Sequence, residues 1–357
     1  MKHHIVVLGA GYAGATAAGR LARRLHPHDT EITVINADPD FVERVRMHQL
    51  ATGQELTRRE LSDIYPATGV TARLARVTAV DADRGTVALV DEHGAGEIGY
   101  DTLVYALGSA AADHDVPGVT EHAYDVARRH SALRLRERLN DLAAGGTVLV
   151  VGAGLTGLEV ATEVAEARPD LDVTIAARGG LGDWLTGKAR RHLRAVFDRL
   201  GVAVREHTDI ARVEATGAVT GDARVIPAQV TVWTAGFAVQ PIAAATTLKV
   251  AATGQIVVDA TMRSVSHPDV YAVGDAGLAE GPGGRPLRMS CASGIPMAWQ
   301  AADDQAKPSL ITGRLAARYK EIVCRGAAWS ISHPTMMIPT RRRRIAAIRS
   351  EVAAATP

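Results

Sequence analysis

The chain has 357 residues, 47% hydrophobic and 22% charged, with 40 lysines and arginines against 39 aspartates and glutamates. That length suits two folded domains rather than one core or a disordered chain, and a net charge of +1 offers no field for nucleic acid. Two cysteines, Cys291 and Cys324, exclude a disulfide framework and any CxxC pair, and no stretch reaches the roughly 18 apolar residues of a membrane span.

In chain order, the short apolar run Ile5–Leu8 ends at glycine, as a buried parallel strand does. Ala18, Leu21, Ala22 and Leu25 then follow at helical spacing until Pro27, and residues 31–36 return as a second strand. Residues 71–94 alternate apolar and polar side chains around Asp83-Arg84-Gly85, which predicts a small antiparallel meander. Residues 100–109 form another buried strand ending in glycine, and 116–119 read as a linker. A helix over 129–143 breaks at Gly145-Gly146.

The opening pattern then restarts. A strand at 147–151 leads to a helix with Leu158, Ala161, Val164 and Ala165 on one face, then to a strand at 173–177 and a strand-rich region over 202–235. Residues 269–277 form a late strand-to-glycine junction. Two repeats of strand, glycine loop and helix are an architectural pair, not a solenoid.

Gly9, Gly11 and Gly14 have the G-x-G-x-x-G spacing, and Gly152, Gly154 and Gly157 repeat it. Such glycines permit a tight turn, let a pyrophosphate approach the backbone and pack helix against strand. The helix N-terminus then offers unpaired N–H groups to phosphate. Tyr12 and Ala13 in the first copy, and Leu155 and Thr156 in the second, stand where those groups would lie. The second strand of each unit ordinarily ends in a carboxylate that reads the ribose. Here the first ends in Asn36, followed by Ala37 and Asp38, and the second in Ala176, Ala177 and Arg178. An arginine there suits a 2′-phosphate, and a solvent-facing arginine is the equal alternative.

Further motifs carry a family resemblance. Ala106-Leu107-Gly108 resembles the alanine-threonine-glycine turn of two-dinucleotide flavoproteins, and "VYAVGDAG" (270–277) is similar to their second FAD signature. From these motifs the chain is identified as a member of the FAD-dependent pyridine nucleotide-disulfide oxidoreductase superfamily over about residues 4–325. "HQLATG" (48–53) is similar to a stretch of the type II NADH:quinone oxidoreductases, and "DFVERVRMHQLATG" (40–53) has no cysteine where disulfide reductases carry their redox pair.

The resemblance implies an α/β fold of two Rossmann-like dinucleotide-binding domains, the second inserted in the first. FAD would occupy residues 1–113 and 258–320, NAD(P) residues 114–257, and 321–357 would form a short C-terminal segment. It implies that Gly274 and Asp275 bind the FAD ribityl chain or its phosphate, that Val77 reads the adenine through its backbone, and that Glu159 approaches the nicotinamide and flavin with Lys320 as a basic partner. Arg44, Arg46 and His48, which follow the first unit, read either as bordering the flavin or the FAD pyrophosphate or as surface and packing residues, and Gly236 is a further cofactor-binding candidate. Glu163, one turn beyond Glu159, is expected to pack or pair with an arginine. Pro296 and Met297 fall in the segment that starts a helix beside the flavin, where Met297 and Trp299 replace expected glutamines and Gln300 is shifted in register.

The expected activity is passage of hydride from NAD(P)H to FAD, then of electrons to a quinone-like or other small acceptor. The alternatives are a pathway-specific oxidoreductase acting on an organic metabolite and a slow redox sensor. Both cysteines read as small packed residues. No metal is expected, since the sequence has neither H-E-x-x-H nor clustered ligands, and no nucleic-acid partner; a homodimer is allowed. The N-terminus has no signal-peptide pattern, so the expected place is the cytoplasm, with the inner membrane face as the alternative. Arg341 to Arg344 read as a solvated tail, or as a contact with acidic lipid.

Overall fold

The computed structural model describes residues 2–281 and 283–306. The chain opens with β1 (His3–Leu8), α1 (Tyr12–Arg24) and β2 (Thr30–Asn36), followed by the short helices α2 (Met47–Ala51) and α3 (Leu61–Ile64). Strand β3 (Val70–Leu74) comes next, then β4 (Arg76–Asp81), β5 (Thr86–Asp91) and β6 (Gly94–Gly99). Strands β7 (Thr102–Tyr105) and β8 (Ser109–Ala111) lead out of this first unit.

The second unit contains α4 (Val119–His122), β9 (Ala123–Tyr124), α5 (Arg129–Asn140), β10 (Thr147–Val151) and α6 (Leu155–Ala167). It continues through β11 (Asp172–Ala176), α7 (Gly187–Leu200) and β12 (Ala203–Arg205). A three-stranded layer, β13 (Ile210–Glu214), β14 (Gly217–Thr220) and β15 (Val225–Pro227), precedes β16 (Val230–Trp233) and β17 (Phe237–Val239). The chain then returns to the first unit through β18 (Ile256–Val257), β19 (Val270–Ala272), β20 (Gly277–Leu278) and α8 (Cys291–Ala306).

Two five-stranded parallel sheets result, ordered β19-β7-β1-β2-β3 and β12-β11-β10-β16-β9. Each has its glycine-loop strand in the centre, covered on both faces, so β1 and β10 read as continuous apolar runs. The meander begins later than its alternation suggests. Residues 70–74 pair parallel with β2 in the main sheet, and only β4, β5 and β6 form the antiparallel layer. Alternation marks strands covered unequally on their two faces and is blind to their partner.

The two crossings between units pair with each other, β8 antiparallel to β17. Trp233 Nε1 donates to Ala112 O at 2.7 Å, fixing the first crossing to the second sheet. One face of the first sheet packs on α1 and α8 through residues such as Val7, Leu21, Val104, Ala298 and Ala301. The other packs on the meander through Leu8, Ile35 and Leu89. Although it precedes the second unit in sequence, α2 enters that unit's core, where Met47, Leu50 and Ala51 join Leu135, Leu158 and Ala161. No helix among the described residues is long and apolar enough to cross a membrane.

Candidate functional site

Both glycine loops open onto one cavity of about 1300 Å3, above the roughly 300–1,000 Å3 of ordinary small-molecule pockets. Their geometry is the same. A Cβ added at Gly14 would fall 1.9 Å from Gly9 O, and one at Gly157 would fall 1.8 Å from Gly152 O, so each helix presses against its own loop. A Cβ on Gly11 or Gly154 would meet no protein atom within 4 Å. Those two residues are the N-caps of α1 and α6, and neither helix has a side-chain cap. The first-turn N–H groups are thus open to an anion, as a pyrophosphate requires. Gly11, Tyr12, Ala13, Gly152, Gly154, Leu155 and Thr156 line the cavity, whereas Gly9 and Gly14 shape the loop behind it.

On the first unit's side, Gly274 and Asp275 sit in the tight turn after β19. Ser109 Oγ donates to Asp275 Oδ2 at 2.6 Å. Arg44 donates from Nη1 to Ser109 O at 2.9 Å and from Nη2 to Ser109 Oγ at 3.1 Å, and its Nη1 lies 3.5 Å from Asp275 Oδ2. The guanidinium carbon also lies 4.8 Å from the Phe237 ring centroid, which ties the cluster to β17. Gln255 Nε2, nearly buried, donates to Asp275 O at 2.9 Å and holds the turn from beneath. Ala106, Gly108 and Gly236 join this wall, while Leu107 packs into the core below.

Asn36 braces the loop: its Oδ1 accepts from Ala10 N at 2.9 Å and its Nδ2 donates to Asp38 O at 2.7 Å. Ala37 lines a separate cavity of about 720 Å3 with Leu74, Ala75 and Arg76. Val77 pairs with Leu89 inside the meander, away from the main cavity. The last expected helix begins at Cys291, so Ser290 just before it and Cys291, Ala292 and Gly294 of its first turn stand on the wall. Pro296 and Met297 lie farther along, and Met297 is buried in the core. Cys291 is a half-buried wall residue rather than a packed core one, and burial pushes its thiol up from the usual range.

The second unit contributes Arg178, 76% exposed and 3.7 Å from Asp209, with both residues on the cavity wall. Arg288 lies over Trp184, its guanidinium carbon 6.0 Å from the ring centroid, so the return segment reaches the second unit across the opening. Glu159 faces the cavity from the first turns of α6. Its side chain is 45% exposed; crowding at its base, and next the negative charge of Glu163, push its carboxyl up to about 7. His48 Nδ1, on α2, lies 3.9 Å from Glu159 Oε2. Burial, then the nearby Arg46 charge, lower the imidazole to about 4, so it is neutral at pH 7. Glu163 pairs with Gln54, which donates from Nε2, rather than with an arginine.

A second tie between the units is Asp40, buried to 4% exposure. It accepts from Arg58 Nε at 2.8 Å and from Arg129 Nη1 on α5 at 2.7 Å. Burial opposes its ionisation, but the two arginines outweigh burial and hold the carboxyl below its usual range. Lys320, Cys324 and Arg341 to Arg344 lie outside the described residues. No metal-binding cluster of histidine, cysteine, aspartate and glutamate occurs among the described residues.

The clusters at Asp275 and Glu159, Trp184, Arg288 and Asp40 hold side chains far apart in sequence. Spacing signals none of the pairings, although Asp275, Arg44, His48 and Glu159 each stand out singly beside a motif.

The sequence profile of the pyridine nucleotide-disulphide oxidoreductase family matches residues 3–306. The NADH dehydrogenase-like protein YutJ of Bacillus subtilis is 28% identical over 281 residues, 78% of each chain. Demethylphylloquinone reductase NdbB of Synechocystis is 26% identical over 304 residues, covering 78% of this chain and 72% of that one. Among solved structures, an NAD-dependent persulfide reductase from A. fulgidus superposes with a TM-score of 0.77 at 23% identity over 87% of this chain. The chain spans 60% of that reductase's length. The protein belongs to the pyridine nucleotide-disulphide oxidoreductase family and is an NAD(P)H oxidoreductase with FAD as its cofactor.

Proposed function

We propose that the first unit, residues 1–113 and 258–320, holds FAD, that the inserted unit, residues 114–257, holds NAD(P)H, and that electrons then leave for a quinone-like acceptor. The observation that carries this reading is the single cavity onto which both uncapped helix N-termini open. In it, the backbone N–H groups at the start of α1 bind one pyrophosphate and those at the start of α6 the other. Asp275, held by Ser109 and Arg44, offers a fixed carboxylate to sugar or ribityl hydroxyls. Bound FAD would supply the two-electron chemistry between nicotinamide and acceptor.

On the second unit, Arg178 at the end of β11 offers a cation to a 2′-phosphate in place of the acid that would read a free hydroxyl, which favours NADPH over NADH. Glu159, its carboxyl pushed up to about 7, exchanges a proton near neutral pH on the wall between the two nucleotide positions. Lys320 is assigned as its basic partner on the family resemblance alone.

The quinone-like acceptor is supported by the "HQLATG" segment at His48–Gly53, and a relative bears the name demethylphylloquinone reductase. The glutamine-free first turn of α8, Cys291-Ala292-Ser293-Gly294, favours a second reading with an organic metabolite as acceptor. Steady-state oxidation of NADPH and NADH with a short-chain quinone, a panel of organic acceptors or oxygen separates them. Fast turnover with the quinone supports the first reading. Nucleotide oxidation without quinone turnover overturns it.

A further inference from the structure

Trp184 is a large apolar side chain left 41% exposed, and it stands on the wall of the main cavity. The loop that carries it follows β11, whose end is the one that meets the adenosine ribose of a nucleotide seated on α6. Hydrogen bonds fix that loop. Asp183 Oδ2 accepts from Gly180 N at 2.6 Å, Leu185 N donates to Gly182 O at 2.8 Å, and Leu181 N donates to Glu206 Oε1 at 2.6 Å. Leu181 and Leu185 turn into the second unit's core, and the indole between them is left on the cavity side.

From the first unit comes Arg288. The return segment folds back on itself, with Gly281 N donating to Arg285 O at 2.7 Å and Leu287 N to Ala279 O at 2.9 Å. Leu287 packs on the first unit's core and anchors the segment. The next residue, Arg288, reaches across the opening and brings its guanidinium carbon to 6.0 Å from the Trp184 ring centroid. Arg288 is exposed, and among the described residues it forms no ion pair. A fixed, hydrated indole gains by covering its face with a flat aromatic ligand. Purine bases and guanidinium groups both stack on such a face.

We propose that Trp184 and Arg288 form a clasp between the units over the adenine of the nicotinamide nucleotide, with the indole as stacking platform and the guanidinium closing on the stack. This rests on reading the second unit as the NAD(P)H site. The clasp meets the base, which NADH and NADPH share, whereas Arg178 on the same wall meets the 2′-phosphate that only NADPH has. Contacts at the adenosine end are equal in the ground and transition states, so they act on KM and leave kcat alone.

The test compares NADPH and NADH with reduced nicotinamide mononucleotide, which carries the same hydride without the adenosine, as reductants of the holoprotein. Trp184→Ala should raise KM for NADPH and for NADH about tenfold with kcat little changed. It should leave the mononucleotide unaffected, and Trp184→Phe should recover most of the loss. Arg288→Ala should raise both KM values about threefold and add nothing to Trp184→Ala. Tryptophan emission supplies the second readout. ADP-ribose, which cannot reduce flavin, should quench it in wild type and fail to do so in Trp184→Phe. Equal losses with the mononucleotide, an unchanged KM in Trp184→Ala, or quenching that persists in Trp184→Phe overturns the proposal. A loss confined to NADPH in Arg288→Ala also overturns it, because it puts that guanidinium on the phosphate. If none of the three reductants reduces wild-type flavin, the two-nucleotide reading fails. If all three do and the variants match wild type, only the clasp fails.

Discussion

Ser109 and Asp275 are 166 residues apart in sequence, yet a 2.6 Å hydrogen bond joins the serine hydroxyl to the carboxylate, with Arg44 gripping the serine. This contact closes the first unit across the whole inserted one, because Ser109 ends the segment before the insertion and Asp275 follows the return. Hydrogen bonds to a charged group contribute about 1.5–3 kcal/mol. Ser109→Ala should weaken FAD retention by about tenfold or more, and Asp275→Ala should release FAD on gel filtration. Equal FAD retention in both variants and wild type, measured by absorbance of the protein peak, would remove Asp275 from the FAD site.

The equivalence of the two glycine loops allows the nucleotides to be separated by mutation. Gly157→Ala forces a Cβ onto Gly152 O and should abolish reduction by NAD(P)H while FAD stays bound. Gly14→Ala makes the same collision with Gly9 O and should cost FAD itself. Flavin content and reducibility of the two variants distinguish the sites. The reverse pattern would exchange the two assignments.

Arg178 is largely exposed and its nearest acid is 3.7 Å away, so it is available to a phosphate. Arg178→Ala should lower kcat/KM for NADPH by about tenfold or more, roughly 1.4 kcal/mol, and leave NADH little changed. Added salt should erode the wild-type preference, because an exposed charge is screened. Equal losses with the two nucleotides would exclude a 2′-phosphate contact.

Glu163 is the second cause of the raised Glu159 carboxyl, after the crowding at the base of that side chain. Glu163→Gln removes a like charge and should lower the midpoint of the pH–rate profile below about 7, while Glu159→Gln should abolish that limb. The sign for stability follows. The folded state binds this proton more tightly than the unfolded chain, so the contribution of Glu159 is complete at low pH. It is lost as pH rises from the ordinary glutamate value through about 7.

Asp40 has the opposite sign. Its folded carboxyl is held low by Arg58 and Arg129, so its contribution is full above the unfolded value and falls as pH drops through the depressed one. Arg58 and Arg129 are 59% and 41% exposed, so removing the carboxylate leaves cations that water hydrates, and the loss is that of charged hydrogen bonds, about 1.5–3 kcal/mol. Asp40→Ala should therefore unfold earlier in urea by that order, with Arg129→Ala losing less because Arg58 remains. Equal stability of wild type and Asp40→Ala would show that the clamp contributes nothing.

The legible features were local. Glycine spacing and apolar strand runs mark both dinucleotide loops, because tight turns and buried parallel strands constrain consecutive residues. The seating of α2 in the second unit's core was hidden, since Met47, Leu50 and Ala51 look like any short apolar face. The start of α8 was also obscured: Cys291 carries no capping signature, and Pro296 inside the helix suggests a later beginning. Asn36 stood where an acid reads a ribose, but its amide bonds at both ends to the chain, which only the folded loop reveals.

Anaerobic titration of the purified holoprotein with NADPH, and separately with NADH, tests the central claim most directly. Loss of the flavin absorbance band at about one equivalent of nucleotide is the expected result, reached faster with NADPH. A flavin that stays oxidised with excess of both nucleotides, or a protein that binds no flavin, would contradict it.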